Sequence, residues 1–449
     1  MKKTWKKIAA LVLAAVTSLS FVGCDKLLND LEGVISSGIE DVLNSSTPDS
    51  TPDDSTPDNS TPDSTPDNST ADSTPDDSTP DDSTPDNSTP DDSTPDNSTP
   101  DDSTPDDSTP DDSTPDDSTG GDVITSDDLS IHFLELGTSK TGDCTYIKAG
   151  DTDILIDAGA IKSSAQTIET YVDQYCEDGK LEYVIATHAH MDHLSGFLGT
   201  SKIPGVLEYY DVGMIIDFPR TKSDKAFYND YVELRDSLVN EGTKHYTALE
   251  WWNGVDGLTR SIEVADGITM TVLYQKYYEE DTSGDDENDY SVCVMFSEND
   301  NHYLFTGDLE KKGEESLVAN NDLPKMKLYK AGHHGSKTSS STALMSVIQP
   351  EIVCVCCCAG SDEYTSIHEN KFPTQIFIDN VAPYTSQIYV TSLAINDASG
   401  KTTGFTSMNG NIVVSSVGGV VTVNCSNNNT ILKETAWFKA NRVWPTNGV

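Results

Sequence analysis

The sequence predicts an α/β fold in which two sheets are flanked by helices, confined to residues 122–449. Apolar runs of strand length alternate there with amphipathic helical runs, in an order that does not fit a single doubly wound sheet. The stretch is about 325 residues long, a size suited to one large domain. Residues 46–121 hold no Val, Ile, Leu, Met or aromatic residue, so they have nothing from which to build a core.

Runs 131–136, 145–148 and 153–157 read as strands separated by Gly-containing turns. Ser163 and Gln166 have the spacing of a capping box. Ile168, Val172 and Tyr175 then share a helical face, and Gly179 is placed to stop that helix. Run 181–186 is an apolar strand that leads straight into His188. A second helix is predicted over 224–240, with Phe227, Tyr231, Leu234 and Leu238 on one side and Gly242 beyond. Strands follow at 268–274, 291–296 and 303–306, and a third helix near 341–348. In the next strand, 352–356, Cys354 and Cys356 act as small apolar residues beside Cys357 and Cys358. A metal or redox role for these thiols is the lesser alternative, because no second Cys/His pair stands at a zinc-finger spacing. Gly418-Gly419 between 412–415 and 420–424 predicts a hairpin.

Residues 1–24 read as a signal peptide. Lys2, Lys3, Lys6 and Lys7 precede an apolar stretch, 8–22, that is short for a membrane span. It ends in Phe21-Val22-Gly23-Cys24, which resembles the bacterial lipobox. That resemblance implies a lipid anchor on Cys24 and an exported lipoprotein at the cell surface, with the membrane touched only through the anchor. Residues 25–45 form a spacer, and 46–121 a linker built on a five-residue Ser-Thr-Pro-Asp-Asp/Asn repeat. The repeat region holds 14 of the chain's 21 prolines and 23 Asp without Lys or Arg, a composition expected to stay disordered and extended. At ~3.1 Å per residue it reaches at most about 230 Å, as a stalk across a cell wall would. Of the net charge of −47, the repeat accounts for 23 units and residues 1–45 cancel, which leaves −24 on the folded part. So acidic a domain repels nucleic acid unless its site is locally basic, which argues against an indiscriminate DNA-binding protein.

His188-Ala189-His190-Met191-Asp192-His193 follows directly on a predicted strand. Imidazoles and a carboxylate at this spacing suit Zn²⁺, with Mn²⁺ or Fe²⁺ possible. Alternate residues of an extended loop face one way, so His188 and His190 can grip one ion while Asp192 and His193 turn toward a second position. Asp157 lies at a strand end near this loop, placed either to orient ligand imidazoles or simply to cap a turn. His132, His245 and His302 read as structural, and Trp251-Trp252 as a packed loop corner. Residues 279–289 read as a solvated acidic loop; the Gly and terminal Glu of an EF-hand are missing.

The motif His-x-His-x-Asp-His resembles that of the metallo-β-lactamase superfamily, and the chain is similar to the extracellular hydrolase domain of ComEC-type competence proteins. The similarity extends through Ile131-His132-Phe133-Leu134-Glu135-Leu136-Gly137, Gly142-Asp143 and Ile154-Leu155-Ile156-Asp157-Ala158-Gly159. It continues in Leu304-Phe305-Thr306-Gly307-Asp308-Leu309 and Ala331-Gly332-His333-His334-Gly335-Ser336-Lys337, so it spans about residues 129–425. It implies an αββα sandwich over 122–449 and two divalent metal ions, Zn²⁺ foremost with Mn²⁺ as the alternative. The implied metal ligands are His188, His190, Asp192, His193, Asp308 and His333, with Asp308 shared between the ions. Asp192, His334, His368 and Lys337 are the implied catalytic residues, and Asp143 and Ser336, with Asp157, support them from behind. His334 is the alternative to His333 as ligand, or a proton donor. Lys337 and Ser336 would face a phosphate, and His368 sits in a loose match to the branch's Tyr-Gly-His segment. The third His that many members place on the first metal is missing, and Asn288-Asp289-Tyr290-Ser291-Val292 stands there, so Asp289 or water would fill its position. The implied reaction is metal-assisted attack of water on a phosphorus or carbonyl centre. Small or polymeric phosphodiesters, nucleic-acid or nucleotide-like, are the first expectation. Cell-wall phosphoesters, lactones or β-lactams are the second, and a non-catalytic surface binding module the third. No obligate protein partner is expected.

Overall fold

A computed structural model describes residues 128–282 and 286–449. The signal peptide with Cys24, the spacer 25–45 and the repeat 46–121 lie outside the described residues. In chain order the strands are β1 (Leu129–Phe133), β2 (Thr145–Ala149), β3 (Thr152–Ile156), β4 (Lys180–Ile185), β5 (Asp211–Asp217), β6 (Lys244–Thr247), β7 (Ser261–Ala265) and β8 (Ile268–Leu273). They continue as β9 (Cys293–Glu298), β10 (Asn301–Phe305), β11 (Leu328–Lys330), β12 (Ile352–Ala359), β13 (Ile388–Asn396), β14 (Thr402–Ser407), β15 (Ile412–Val417) and β16 (Val420–Cys425). One eight-stranded sheet runs β16-β15-β1-β2-β3-β4-β5-β6 and the other β14-β13-β12-β11-β10-β9-β8-β7.

Both sheets are mixed. Strands β3 to β6 are parallel in the first, and β10 to β13 in the second. Parallel neighbours need crossover connections. Helices Ser164–Val172, Val206–Tyr209 and Ala226–Glu241 lie in them in the first sheet, and Lys311–Asn320, Thr342–Ile348 and Gln375–Val381 in the second. The sheets meet in one buried cluster that joins Ile131 and Phe133 to Met270, Val272, Phe296 and Phe305. Phe133 stacks on Phe305 across the interface with ring centroids 6.3 Å apart. Each fully buried side chain of this size contributes roughly 1.5–3 kcal/mol by leaving water. A second cluster packs helices against the outer face of the second sheet, through Leu317, Leu344, Ile348 and Phe377 over Tyr329, Val353 and Val355.

Strand β12 shows how the sequence builds these layers. All eight of its residues are buried. Cys354 and Cys356 point into the inter-sheet core, while Val353, Val355 and Cys357 point to the helical side, as the two-residue period of a strand requires. Among the described residues Cys354, Cys356, Cys357 and Cys358 have no disulfide partner, in keeping with their reading as small apolar residues.

Some local expectations fail. Ser163 has helical dihedrals (φ −75°, ψ −11°) and makes no side-chain cap, so the expected box with Gln166 does not form; a capping side chain needs an extended Ncap backbone. That helix ends at Val172, and Gly179 instead turns the chain into β4 with φ 71°. The acidic segment 279–289 is not wholly solvated, because Glu287 and Asp289 are buried. Gly418 and Gly419 do form the tight hairpin between β15 and β16, both at positive φ.

Glu314 joins two of the covering elements from inside. Its carboxylate, fully buried, accepts the backbone N–H groups of Ser340 (2.6 Å) and Ser341 (2.8 Å) at the start of helix Thr342–Ile348. Burial outweighs these bonds and pushes its pKa up to about 7. An acid whose folded pKa lies above its unfolded value stabilises the fold most at low pH, and that contribution fades as pH rises through the folded pKa. Urea midpoints of the protein should therefore fall between pH 5 and pH 8 by an amount worth ~3 kcal/mol from this group. The slope should flatten in Glu314→Gln; an unaltered slope in the variant would assign the pH dependence to other groups.

Candidate metal centre

The functional loops gather at one end of the sheets, at the carboxyl ends of parallel strands, where open α/β sheets form their ligand crevices. Asp157 follows β3, the His188–His193 loop follows β4, Asp308 follows β10, and His333 and His334 follow β11. Asp143, just ahead of the antiparallel β2, reaches the same end.

Asp157 is buried and holds a left-handed backbone, φ 58°. Its Oδ1 accepts the Thr187 N–H (2.8 Å), and its Oδ2 accepts both the Thr187 hydroxyl and the His193 Nδ1–H, each at 2.7 Å. Because the Thr187 proton is donated to Asp157, the hydroxyl oxygen is available to His188 Nδ1–H at 3.1 Å. One carboxylate thus fixes the tautomers of two imidazoles and leaves the Nε2 lone pairs of His188 and His193 pointing away from it. His188 Nε2 lies 3.0 Å from His190 Nδ1, so the two rings aim at a shared point.

His193 Nε2 is 3.2 Å from Asp308 Oδ2. His334 donates from Nδ1 to the Cys356 carbonyl (2.9 Å) and sets its Nε2 3.3 Å from both Asp308 Oδ2 and Asp192 Oδ2. Asp308 is brought in by Gly307, at φ 53°, where a Cβ would come within 2.8 Å of Ser291 Oγ; that hydroxyl accepts the Asp308 N–H. Asp143, His193, Asp308 and His334 each bring a ligand atom to within 4.8 Å of the others, all of them buried. His193 Nε2, His334 Nε2 and Asp308 Oδ1 are buried with no hydrogen-bond partner among the described residues. Orphaned imidazole nitrogens and carboxylate oxygens that converge are the donor set of a divalent cation such as Zn²⁺ or Mn²⁺, and the residues fit one.

Asp143 stands on the opposite side of the rings. It lies 3.1 Å from His334 Nδ1 and 3.8 Å from His193 Nδ1, so it orients these imidazoles from behind. A buried lysine, Lys330, pairs with it. Burial disfavours the Lys330 charge, but Asp143 and Asp308 outweigh that and raise its pKa.

Electrostatics divide the histidines. Burial pushes His188 well below its usual 6.5, and repulsion from His193 and His190 adds to it. For His193 and His334 burial acts the same way but is outweighed by Asp308, with Asp157 or Asp143 helping, and both rise well above 6.5. Burial would raise Asp308 as well, yet the His334 and His193 charges hold it well below the carboxylate range. The carboxylates thus call for positive charge, which a dication supplies in place of these protons.

Several sequence expectations need correction. His334 rather than His333 lies against the Asp192 and Asp308 carboxylates. His333 and His334 are both left-handed (φ 46° and 54°), and this turn swings His333 outward onto Thr338 Oγ1 (3.1 Å), leaving its Nε2 4.0 Å from Asp308 Oδ2. Lys337 is exposed, with its amine on Asn370 Oδ1 at 3.0 Å, and does not reach the cluster. His368 is exposed and bonds Asn441 at 2.8 Å. Ser336 is buried, with its hydroxyl 3.1 Å from Thr338 Oγ1. Asp289 accepts the Glu310 N–H (3.0 Å) rather than turning to the His188–His190 pair. Near the expected third histidine stands Ser291, 3.4 Å from His188 Nδ1.

Two residues escaped sequence reading. Lys330 gave a signal, a lone charge in an apolar strand just ahead of the histidines. Tyr364 gave none. Its hydroxyl donates to Asp192 Oδ2, and its ring stacks over His334 with centroids 6.4 Å apart and planes 13° apart.

Residues 137–239 match the model of the metallo-beta-lactamase superfamily. The chain carries a metallo-β-lactamase superfamily domain. This domain is distantly related to competence protein ComA of Neisseria gonorrhoeae, at 25% identity over 256 residues, 56% of this chain and 30% of that one. Recombination protein 2 of Haemophilus influenzae is 35% identical over 69 residues, 15% of this chain and 8% of that one. The chain spans less than a third of the length of either relative. Among solved structures, the metallo-beta-lactamase fold protein YhfI of Bacillus subtilis matches at TM-score 0.36 and 11% identity, over 59% of this chain and 96% of that one. Human tRNase Z, short form, matches at TM-score 0.28 and 13% identity, over 58% and 93%. The metallo-β-lactamase domain here is a hydrolase fold with a buried Asp/His cluster able to hold metal.

Asp157→Asn tests the orienting carboxylate. Asn tolerates the left-handed backbone but presents an amide to the donors that Asp157 now accepts. Metal affinity, measured by competition with a chromogenic chelator, should fall about 10–100-fold. Unchanged affinity in a folded variant would show that the imidazoles are oriented without it.

Proposed function

We propose that the protein is a cell-surface metallohydrolase that cleaves small phosphodiesters, nucleotide-like in character. The observation that carries this reading is the convergence of His193 Nε2, His334 Nε2, Asp192 Oδ2 and Asp308 Oδ2 on one buried point. Asp192, His193, His334 and Asp308 would hold one cation, and His188 and His190 would grip a second. Cations bound there neutralise charge developing on a phosphoryl oxygen and lower the pKa of water. The chain's own residues prepare the place. Asp157 and the Cys356 carbonyl hold the Nδ1 protons, Asp143 braces His334, and Lys330 compensates Asp143.

Relatives named for competence and recombination favour a nucleic-acid-like diester. The acidic charge of the folded part, −24, favours a small substrate over a polymer, which it would repel. The lipobox-like Cys24 and the Pro/Asp repeat support export, with a lipid anchor and a stalk.

Given Mn²⁺ or Zn²⁺, the purified protein should hydrolyse bis(p-nitrophenyl) phosphate. Asp192→Ala and Asp308→Ala should each reduce kcat/KM about 10³-fold, as expected when several kcal/mol of transition-state stabilisation is lost. Full turnover in both variants would sink the assignment. In bacteria, the wild-type chain should sediment with membranes and incorporate labelled fatty acid; Cys24→Ala should abolish the labelling. Continued labelling in that variant would place the lipid elsewhere.

A further inference from the structure

On the solvent side of the metal centre, Tyr364 follows β12 and leans over the cluster. Its hydroxyl donates to Asp192 Oδ2, the oxygen that lies 3.3 Å from His334 Nε2. The phenol therefore stands beside the point on which the orphaned donors converge. Its ring is held in place by stacking on His334 and by Phe372, 5.3 Å away at 37°. Aromatic side chains fixed this way lose little further freedom when they bind a ligand. Yet the residue is 50% exposed, and Met191, next to Asp192 in the chain, is 54% exposed, so this side of the centre is in part open to solvent. The two residues from which a phosphate contact was expected, Lys337 and Ser336, are bonded to Asn370 and Thr338, and His368 is tied to Asn441.

We infer that Tyr364 is a substrate-contacting residue, whose hydroxyl hydrogen-bonds a non-bridging oxygen of the phosphodiester at the metal centre. The inference rests on the hydrolase reading above and adds to it the group that recognises the phosphate. An Asp192 carboxylate bound to a cation is a poorer acceptor than one that is not, whereas phosphoryl oxygens gain negative charge as the reaction proceeds. The phenol moves its hydrogen bond from the one to the other without giving up its proton. A preorganised donor of this kind acts mainly on the transition state.

The test uses the full-length protein loaded with Mn²⁺, comparing wild type with Tyr364→Phe, which keeps the ring and removes the hydroxyl. Three quantities are read: Mn²⁺ affinity, binding of dimethyl phosphate by phosphorus NMR line broadening, and turnover of bis(p-nitrophenyl) phosphate. The expected result is Mn²⁺ affinity within about twofold of wild type, weaker diester binding, and kcat lowered about 100-fold. A fall in Mn²⁺ affinity equal to the fall in activity would overturn the inference, because Tyr364 would then only orient Asp192. Equal diester binding and turnover in both proteins would overturn it too. A wild type that binds Mn²⁺ but neither binds nor cleaves the diester overturns the phosphodiesterase reading, and this inference falls with it.

Discussion

Asp157 ends β3 in a left-handed conformation with a carboxylate that water does not reach, so both of its oxygens must find donors within the protein. They find the amide and hydroxyl of Thr187 and the Nδ1–H of His193. Through the Thr187 hydroxyl the constraint passes on to His188. The geometry of the histidine loop is therefore set from behind, by hydrogen bonds in a region of low dielectric where leaving one unmade is expensive. The lone pairs that face the cluster are a consequence of where the protons on the far side are held.

Around this hub the two sheets bring in what the loop lacks. Parallel strands place their carboxyl ends together, so Asp308, His334 and Tyr364 arrive beside Asp157, which lies more than a hundred residues before any of them. The charge arrangement is internally consistent. Asp143, Asp192 and Asp308 carry the negative charge, Lys330 pairs with Asp143, and Asp308 raises the His193 and His334 pKa values against the pull of burial. Such a cluster is unfavourable without positive charge at its centre, which is the physical reason for reading it as a cation site.

Much of the fold was legible because its cause is local. Apolar alternation marked β2, β8 and the β15–β16 hairpin, and the 3.6-residue period marked helix Ala226–Glu241. Strands β5, β6, β7, β11, β13 and β14 carry no such clear pattern; β5 and β13 mix Gly, Ser, Thr and Asp into apolar runs, and their pairing with neighbours rather than their own pattern makes them strands. The failed capping box at Ser163 has the same origin, since spacing announced the side chains but the backbone dihedrals were decided by the preceding turn.

By itself, the sequence determined the chemistry of the centre. His188, His190, Asp192 and His193 fall within six residues after a strand, so their convergence needs only a loop of fixed direction. The tertiary structure decided what depends on backbone rotation and on distant chain. Two consecutive left-handed residues choose His334 over its neighbour, a difference invisible in the letters His-His. Tyr364, 172 residues beyond Asp192, meets it only in the folded chain. Spacing along a chain fixes what a segment can offer; only packing fixes which atoms meet.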